Sequence, residues 1–349
     1  MKTDNRKSVL KFVGLFLVGL TVFLLVFGTV GFGEIVTALG QIRPYLYGIG
    51  ILLIILNIVA WSSRWHLFVK LTHPEISGFD LFKNMLVGLA INNLTPIFKM
   101  GGEAARVYLL KVRHGIRGRE GLATITSDLT IEFIVDVIFA MMSFLFLMIF
   151  FRPPVWLYGI LAVFVAVCSL LVFGIFGLYT GQKIIYKIIG FICKKMKRFE
   201  GYEERLYQKY ETFQKTFQKI MKNRRVFAGA LTLTLLRKVL TVTTYVVIFA
   251  ALGHTTNIVN IIIAVGIGYM LMVIPATPGS LGIFEGGMIS VFVLLGVPAE
   301  IAASVVFLDR LIWFWGVTGT GSMVGTYYGL DLIIDRKIIE SYSTAGKDI

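Results

Sequence analysis

Acidic side chains recur inside long apolar stretches of this chain. Asp128, Glu132 and Asp136 are spaced by four residues within one stretch, so a helix would place all three on one face. Asp309 lies in another stretch. Ionisable groups at membrane depth are costly, usually face the interior of a helix bundle, and mark a transport pathway or an ion pair. The acids therefore indicate either a path for a charged group or a set of buried pairs.

Basic side chains occur at comparable depth. Arg237 and Arg310 lie near the middle of two apolar stretches, and Lys238 follows Arg237. A guanidinium group suits phosphate because its planar fork donates two parallel hydrogen bonds. Pairing of the acid stripe with Arg237, Lys238 or Arg310 is the alternative, and such a pair can open when a substrate arrives.

Two segments with glycine and proline interrupt the apolar pattern. Residues 95–106 read TPIFKMGGEAAR, and residues 277–288 read TPGSLGIFEGGM. Each begins with Thr-Pro, places a glutamate seven residues after the proline, and precedes a long apolar stretch with an acid near its start. Corresponding broken segments in two halves of a membrane protein indicate a transport site. A kinked helix that ends in a loop is the simpler interpretation of each segment.

The helices expected after these breaks begin at membrane depth. Their free N–H groups would bind an anion, and a glutamate in the first turn would cap the helix. The candidate headgroup-binding residues are Thr95, Pro96, Lys99, Gly101, Gly102, Glu103, Arg106, Arg237, Thr277, Pro278, Gly279, Ser280, Gly282, Glu285 and Arg310. The candidate intramembrane acids are Asp128, Glu132, Asp136 and Asp309.

The elements that must position these residues are predicted to be helices of an all-α polytopic membrane protein. Of the 349 residues, 56% are hydrophobic, and basic residues flank the apolar stretches as the positive-inside rule requires. Residues 81–111 have basic flanks on both sides, whereas the turns at both ends of 258–295 lack lysine and arginine. These two segments are predicted to be re-entrant hairpins that enter from opposite faces, as in an inverted repeat. The six full spans are predicted at about 11–30, 45–62, 122–151, 155–179, 226–252 and 301–330.

The chain is predicted to form a single integral domain, 1–349, in the cell membrane, with both termini cytoplasmic. Its halves cover about 8–180 and 226–330, and a short tail covers 331–349. Between the halves, residues 182–225 are basic, with apolar residues every three or four positions. This pattern favours an amphipathic helix on the inner leaflet, with a coiled-coil pairing as the alternative.

Other features narrow the function. The net charge of +14 fits the positive-inside rule and attraction to anionic lipid, and no nucleic-acid partner is expected because most basic residues flank spans. The two cysteines and four histidines show no ligand spacing, and there is no phosphate-binding loop or nucleophile elbow. Neither a cofactor nor a metal is expected. Gly282-x-x-x-Gly286 and Gly321-x-x-x-Gly325 are predicted helix-packing motifs.

LTPIFKMGGEAAR at 94–106 and PATPGSLGIFEGG at 275–287, with the long spans that follow, resemble the membrane region of the lysylphosphatidylglycerol synthases, the flippase-like domain family. The resemblance covers about 11–330. In full-length members this region flips an aminoacylated phospholipid that a C-terminal cytoplasmic domain makes, while some stand-alone members are linked to polyprenyl-phosphate sugar pathways. The chain ends about twenty residues after its last predicted span, so a stand-alone member without the aminoacyl-transferase domain is expected. The resemblance implies the site residues Pro96, Lys99, Gly101, Gly102, Glu103, Arg106, Pro278, Gly279, Gly282 and Glu285.

The sequence therefore predicts a lipid translocase, a flippase or scramblase, rather than an enzyme. Its substrate would be an anionic or phosphate-bearing lipid: a phospholipid, an aminoacyl-phospholipid or a polyprenyl-phosphate-linked sugar. One alternative is a membrane enzyme that acts on a lipid-linked donor with the acid stripe as general base or metal ligands. Another is a subunit that anchors a separate synthase through 182–225. Besides membrane lipids, a lipid-modifying enzyme and further copies of the chain are the partners that the sequence allows.

Overall fold

The computed structural model describes residues 17–18, 20–29, 32–95, 100–151, 155–180, 203–272 and 277–329. Within these ranges all regular structure is helical, which confirms an all-α polytopic membrane protein. The helices are α1 Leu20–Thr29, α2 Phe32–Gly40, α3 Pro44–Lys70, α4 Gly78–Leu94, α5 Met100–His114, α6 Gly118–Phe150, α7 Val155–Thr180, α8 Glu203–Met221, α9 Arg224–Ala251, α10 Ile258–Met272, α11 Ile283–Leu294 and α12 Ala299–Gly329.

In the described part of the chain, α3, α6, α7, α9 and α12 are long and apolar enough to cross a membrane. The 27 residues of α3 span about 40 Å, more than the roughly 30 Å of a hydrocarbon core. Much of the first predicted span, about 11–30, lies outside the described residues, and α1 is its described portion. Local chemistry sets helix starts: Pro44 opens α3, and the Asn223 side chain accepts a hydrogen bond from the Val226 amide at the start of α9.

Pairs of short helices in contact with each other lie at the positions of the two predicted hairpins. The pair α4–α5 corresponds to predicted segment 81–111, and α10–α11 corresponds to 258–295. A short 3-10 turn, Pro278–Ser280, precedes α11. In the first pair α4 ends at Leu94, and in the second a turn with Thr277 and Pro278 precedes α11, because proline and glycine interrupt the helical hydrogen bonds. The insertion of these pairs from opposite membrane faces stays a prediction.

The tips of the two hairpins meet. The turn before α11 packs against α4, and a Cβ added to Gly279 would lie 3.0 Å from the carbonyl oxygen of Asn93. The same Cβ would lie 2.3 Å from the Phe314 ring of α12. Gly279 has φ +59° and Gly282 has φ +85°, so both adopt left-handed backbone that favours glycine. The broken segments of the two halves are thus joined at one place.

The helix α12 is distorted where it passes these tips. Its turn Leu311–Gly316 is π-helical, a form often found at functional sites. Asn93 at the end of α4 donates its Nδ2 hydrogens to the Trp313 carbonyl oxygen at 3.1 Å and to Thr318 Oγ1 at 3.0 Å. The first hairpin therefore binds the irregular turn of α12 directly.

Both predicted packing motifs are confirmed. A Cβ on Gly321 would lie 2.2 Å from the Leu86 carbonyl oxygen of α4, and one on Gly325 would lie 3.7 Å from Val87. In the other motif, a Cβ on Gly282 would lie 2.4 Å from the Val22 side chain of α1, and one on Gly286 would lie 3.4 Å from the Val26 side chain. Small residues allow this close approach between helices.

The described part of the amphipathic segment is α8, and it packs on the helix bundle. Phe217 is 0% exposed and Ile220 is 1% exposed. The side-chain amides of Gln214 and Gln218 donate hydrogen bonds to the Leu178 carbonyl oxygen near the end of α7, at 3.3 Å and 3.4 Å. The protein's own helices α6 and α7 thus cover much of this apolar face. Residues 182–202 of the predicted segment lie outside the described ranges.

We expect Gly321→Ala to destabilise the fold, because the new methyl group would collide with the backbone of α4. Overpacking of this kind costs about 1–3 kcal/mol. The matched control is Gly319→Ala on the same helix, where nothing lies within 4 Å of the added Cβ. That control should be neutral or stabilising by up to about 1 kcal/mol. Thermal unfolding of the detergent-solubilised variants measures the difference, and equal midpoints would contradict the packing assignment.

Candidate functional site

The acid stripe of α6 faces the interior of the bundle. Asp128 is 0% exposed and accepts hydrogen bonds from Arg64 Nε at 2.7 Å, Arg106 Nη2 at 3.3 Å and Trp61 Nε1 at 3.2 Å. These donors come from α3 and α5, so a single carboxylate joins three helices. The two arginines together offset its charge in surroundings that contain little water.

The next acids of the stripe bind cations of α9. Glu132 pairs with Arg64 and Arg237, and with Lys238 Nζ at 3.0 Å. Asp136 pairs with Lys238 alone among the described residues. The predicted pairing of the stripe with Arg237 and Lys238 is confirmed, and Glu132 contacts both of these cations.

The first hairpin enters the same network. Arg106 Nη1 lies 2.7 Å from Glu103 Oε2, and Asn92 Nδ2 donates to Glu103 Oε1 at 3.3 Å. The Gly102 amide donates to Asn92 Oδ1 at 2.7 Å. A Cβ on Gly102 would lie 2.0 Å from the Gly88 carbonyl oxygen. The Gly102 amide therefore binds α4, and the lack of a side chain at Gly102 lets α5 pack closely against α4.

Aromatic rings cover the buried cations. Each of four buried cations lies over the face of an aromatic ring, where the quadrupole of the ring attracts positive charge. The pairs, with the distance from the guanidinium carbon or ammonium nitrogen to the ring centre, are Arg106 over Trp65 at 4.0 Å, Arg237 over Trp61 at 4.0 Å, Lys238 over Tyr269 at 4.1 Å and Arg310 over Phe284 at 4.2 Å.

A second charged cluster forms at the other hairpin. Arg310 Nε lies 2.5 Å from Glu285 Oε1, and Arg310 Nη2 donates to the Gly279 carbonyl oxygen at 3.3 Å. Glu285 Oε2 accepts the Gly282 amide at 2.5 Å, which caps α11. Arg310 thus binds the second hairpin. The expectation that it could pair with the acid stripe is wrong, because α12 directs it toward α11.

Asp309 lies beside this cluster and differs from the other acids. It is 4% exposed and lies close to Tyr245 of α9. Tyr47 of α3 donates to the neighbouring Leu308 carbonyl oxygen at 3.1 Å. Within the described ranges, Asp309 forms no salt bridge with a lysine or arginine, since Arg310 is directed to Glu285.

The predicted site residues fall into two groups in space. Thr95, Gly101 and Gly102 lie at the first tip, where a Cβ on Gly101 would be 2.6 Å from the Thr95 side chain. Pro96 and Lys99 lie outside the described residues. Beside this tip, the first group contains Glu103, Arg106, Asp128, Glu132, Asp136 and Arg237. The second group, at the other hairpin, contains Thr277, Pro278, Gly279, Ser280, Gly282, Glu285, Asp309 and Arg310.

The central cation of the network, Arg64, is not among the predicted site residues. Arg64 lies near the expected end of a span, where a basic residue normally marks the membrane interface. In the structure α3 continues to Lys70, and Arg64 is 0% exposed between Asp128 and Glu132. A usable signal was present, since Asn57, Trp61 and Arg64 share one helix face by their spacing. Asn57 Oδ1 accepts Arg237 Nε at 3.0 Å, so this face supports the network along its length.

The fold and the buried charges define a polytopic α-helical membrane protein whose two hairpins meet beside an internal ion-pair network. The chain belongs to the family described as the lysylphosphatidylglycerol synthase TM region, whose sequence model matches residues 11–321. The family links the chain to membranes and to lipid handling.

Similar proteins include archaeal chains named UPF0104 membrane proteins. One from Methanothermobacter thermautotrophicus is 27% identical over 308 residues, which cover 86% of this chain and 90% of that protein. One from Pyrococcus horikoshii is 25% identical over 339 residues, covering 94% and 98% respectively. One from Methanocaldococcus jannaschii is 26% identical over 351 residues, covering 97% and 98%. These similarities extend along nearly the whole chain.

We expect Glu132→Gln to destabilise the protein more than Asp136→Asn. Glu132 binds three cations, and removal of one partner from a buried pair costs about 3–5 kcal/mol. Among the described residues Asp136 binds only Lys238, which keeps Glu132 as a partner in the Asp136→Asn variant. The yield of monodisperse protein and its thermal midpoint report the difference. Equal loss in the two variants would contradict the central position of Glu132.

Proposed function

We propose that this protein is a lipid translocase, a flippase or scramblase for anionic or phosphate-bearing lipids in the cell membrane, with cytoplasmic termini. The observation that carries the proposal is a pair of buried guanidinium N–H groups. Arg64 Nη2 and Arg106 Nε have no hydrogen-bond partner among the described residues. Both side chains bind Asp128 through their other nitrogens, and they are 0% and 1% exposed. An anion or a bound water is the natural acceptor for such donors.

A phosphodiester has the acceptor oxygens that these two donors lack. It carries one negative charge, as the Asp128 carboxylate does, and Arg64 and Arg106 can donate to either. The phosphodiester can accept the Arg64 Nη2 and Arg106 Nε hydrogens while the Asp128 carboxylate keeps its own contacts, so the network gains one negative charge. A headgroup can therefore enter without leaving the buried arginines unpaired, which is the main cost of opening such a network.

The position of the network supports movement across the membrane. It lies on the helices next to the first hairpin, whose tip contacts the tip of the second hairpin at Gly279. In transporters built from inverted repeats, broken segments of the two halves form the substrate site, and rocking of one half against the other exposes it to each side in turn. The two hairpins supply the equivalent elements here.

The state of the acids favours transport over chemistry on a lipid-linked donor. A general base needs a carboxylate that can reach its substrate. Asp128 and Glu132 are held instead by two and three cations respectively. The alternative of an anchoring subunit requires the amphipathic segment to be available, and α6 and α7 cover much of the apolar face of α8.

Full-length protein in liposomes tests the proposal. The probe is fluorescent phosphatidylglycerol, and the readout is the fraction that becomes accessible to a reductant added outside. We expect Arg106→Lys to slow the transfer by about tenfold or more, because it keeps the charge but removes donors of a rigid fork, and a hydrogen bond to a charged group is worth about 1.5–3 kcal/mol. The matched control is Arg117→Lys, whose side chain is 70% exposed.

Two results would count against this account. If wild-type protein moves neither phosphatidylglycerol, lysylphosphatidylglycerol nor a polyprenyl-phosphate lipid faster than protein-free liposomes, the translocase proposal fails. If wild-type protein moves lipid and Arg106→Lys matches it, the guanidinium site is not where the headgroup binds. Equal thermal midpoints of the Arg106→Lys and Arg117→Lys variants would show that any loss is not due to unfolding.

A further inference from the structure

The two charged clusters differ in their balance of charge. In the first, Arg64, Arg106, Arg237 and Lys238 face Glu103, Asp128, Glu132 and Asp136, and each of these acids contacts at least one cation. In the second, Arg310 is the single cation that the described residues place beside Glu285 and Asp309. The first cluster is neutral with every group ionised, whereas the second has one carboxyl more than it has cations.

In the described part of the chain, no lysine or arginine besides Arg310 lies beside Asp309. The titratable groups that face it from the packed helices are Tyr47 of α3, Tyr245 of α9, Glu285 of α11, and the adjacent Arg310. An ionised carboxylate without a cation is costly in such an apolar site.

We propose that Glu285 and Asp309 share one proton and one arginine, and that this set is the site through which proton movement is coupled to transport. In the arrangement described here, Arg310 neutralises Glu285 and Asp309 carries the proton. The coupling part of this inference rests on the proposed translocase, whereas the shared proton does not.

The exchange within the set conserves charge and atoms. When the Arg310 guanidinium turns from Glu285 to Asp309, the O–H bond of the Asp309 carboxyl breaks and the proton passes to the Glu285 carboxylate, directly or through water. The set holds one proton and one guanidinium before and after the step. Entry of a proton from one side and its release to the other then converts this local exchange into coupled transport.

The fold connects this exchange to the lipid site. Arg310 Nη2 binds the Gly279 carbonyl oxygen, so the tip of the second hairpin is fixed in the present arrangement. The π-helical turn begins directly after Arg310, and Asn93 of the first hairpin binds it at the Trp313 carbonyl oxygen. Movement of Arg310 away from Glu285 would release the first contact and strain the second. Both hairpins would therefore respond to the position of one proton.

Infrared spectroscopy of the full-length protein in lipid nanodiscs tests the shared proton without any transport. A protonated carboxyl has a carbonyl stretch that a carboxylate lacks. At neutral pH we expect wild-type protein to show this band for one buried carboxyl, and Asp309→Asn to lose it. Glu285→Gln should also lose it, because Arg310 then has Asp309 as its only acid partner. The control Glu300→Gln, at the start of the same helix, should retain it.

The outcomes separate the two proposals. Retention of the band in Asp309→Asn, or in a folded Glu285→Gln variant, would overturn the shared proton. For coupling, a pH difference across the liposome membrane should change the rate of phosphatidylglycerol transfer by at most about tenfold per pH unit, as one proton per step requires. Asp309→Asn should lose this dependence. Transfer by wild-type protein with no response to the pH difference would overturn the coupling, whereas no transfer at all, with the band as expected, would overturn the translocase alone.

Discussion

The structure depends on the Asp128 carboxylate and the two arginines that share it. In a lipid bilayer, apolar side chains gain little free energy by moving from lipid into contact with another helix. Helix association therefore relies on close packing and polar contacts. Asp128 provides such contacts to α3 and α5 through Arg64 and Arg106. Glu132 extends them to α9 through Arg237. Each of these charges would be costly if left alone, so the helices are held in the one arrangement that pairs them all.

Close backbone contact is the second constraint, and it depends on glycine. Gly102 brings α5 against α4, and Gly321 brings α12 against the other side of α4. Neither contact leaves room for a methyl group on the glycine. At the end of α4, Asn92 therefore reaches Glu103 of α5, and Asn93 reaches the π-helical turn of α12. Small residues thus set the distances over which the polar network can act.

The two halves of the protein resemble each other in their broken segments but differ in charge. The first cluster is neutral through ion pairs, so an anionic ligand bound there would add a negative charge beside the two arginines that share Asp128. The second has a surplus carboxyl at Asp309, which makes it suited to hold a proton. A translocase that divides these roles would bind the headgroup in one half and sense protons in the other.

Local properties of the chain were enough to predict much of the fold. The end of α4 at Leu94 and the turn from Thr277 to Gly282 before α11 follow from proline and glycine, and the single face of Asp128, Glu132 and Asp136 follows from helical spacing, so neighbouring residues alone decide them. The partner of each charge was decided only by the tertiary structure. Arg310 binds Glu285 rather than the acid stripe, and Arg64 lies at the centre of the network, because α3, α6, α11 and α12 meet across distances that no spacing in the sequence records.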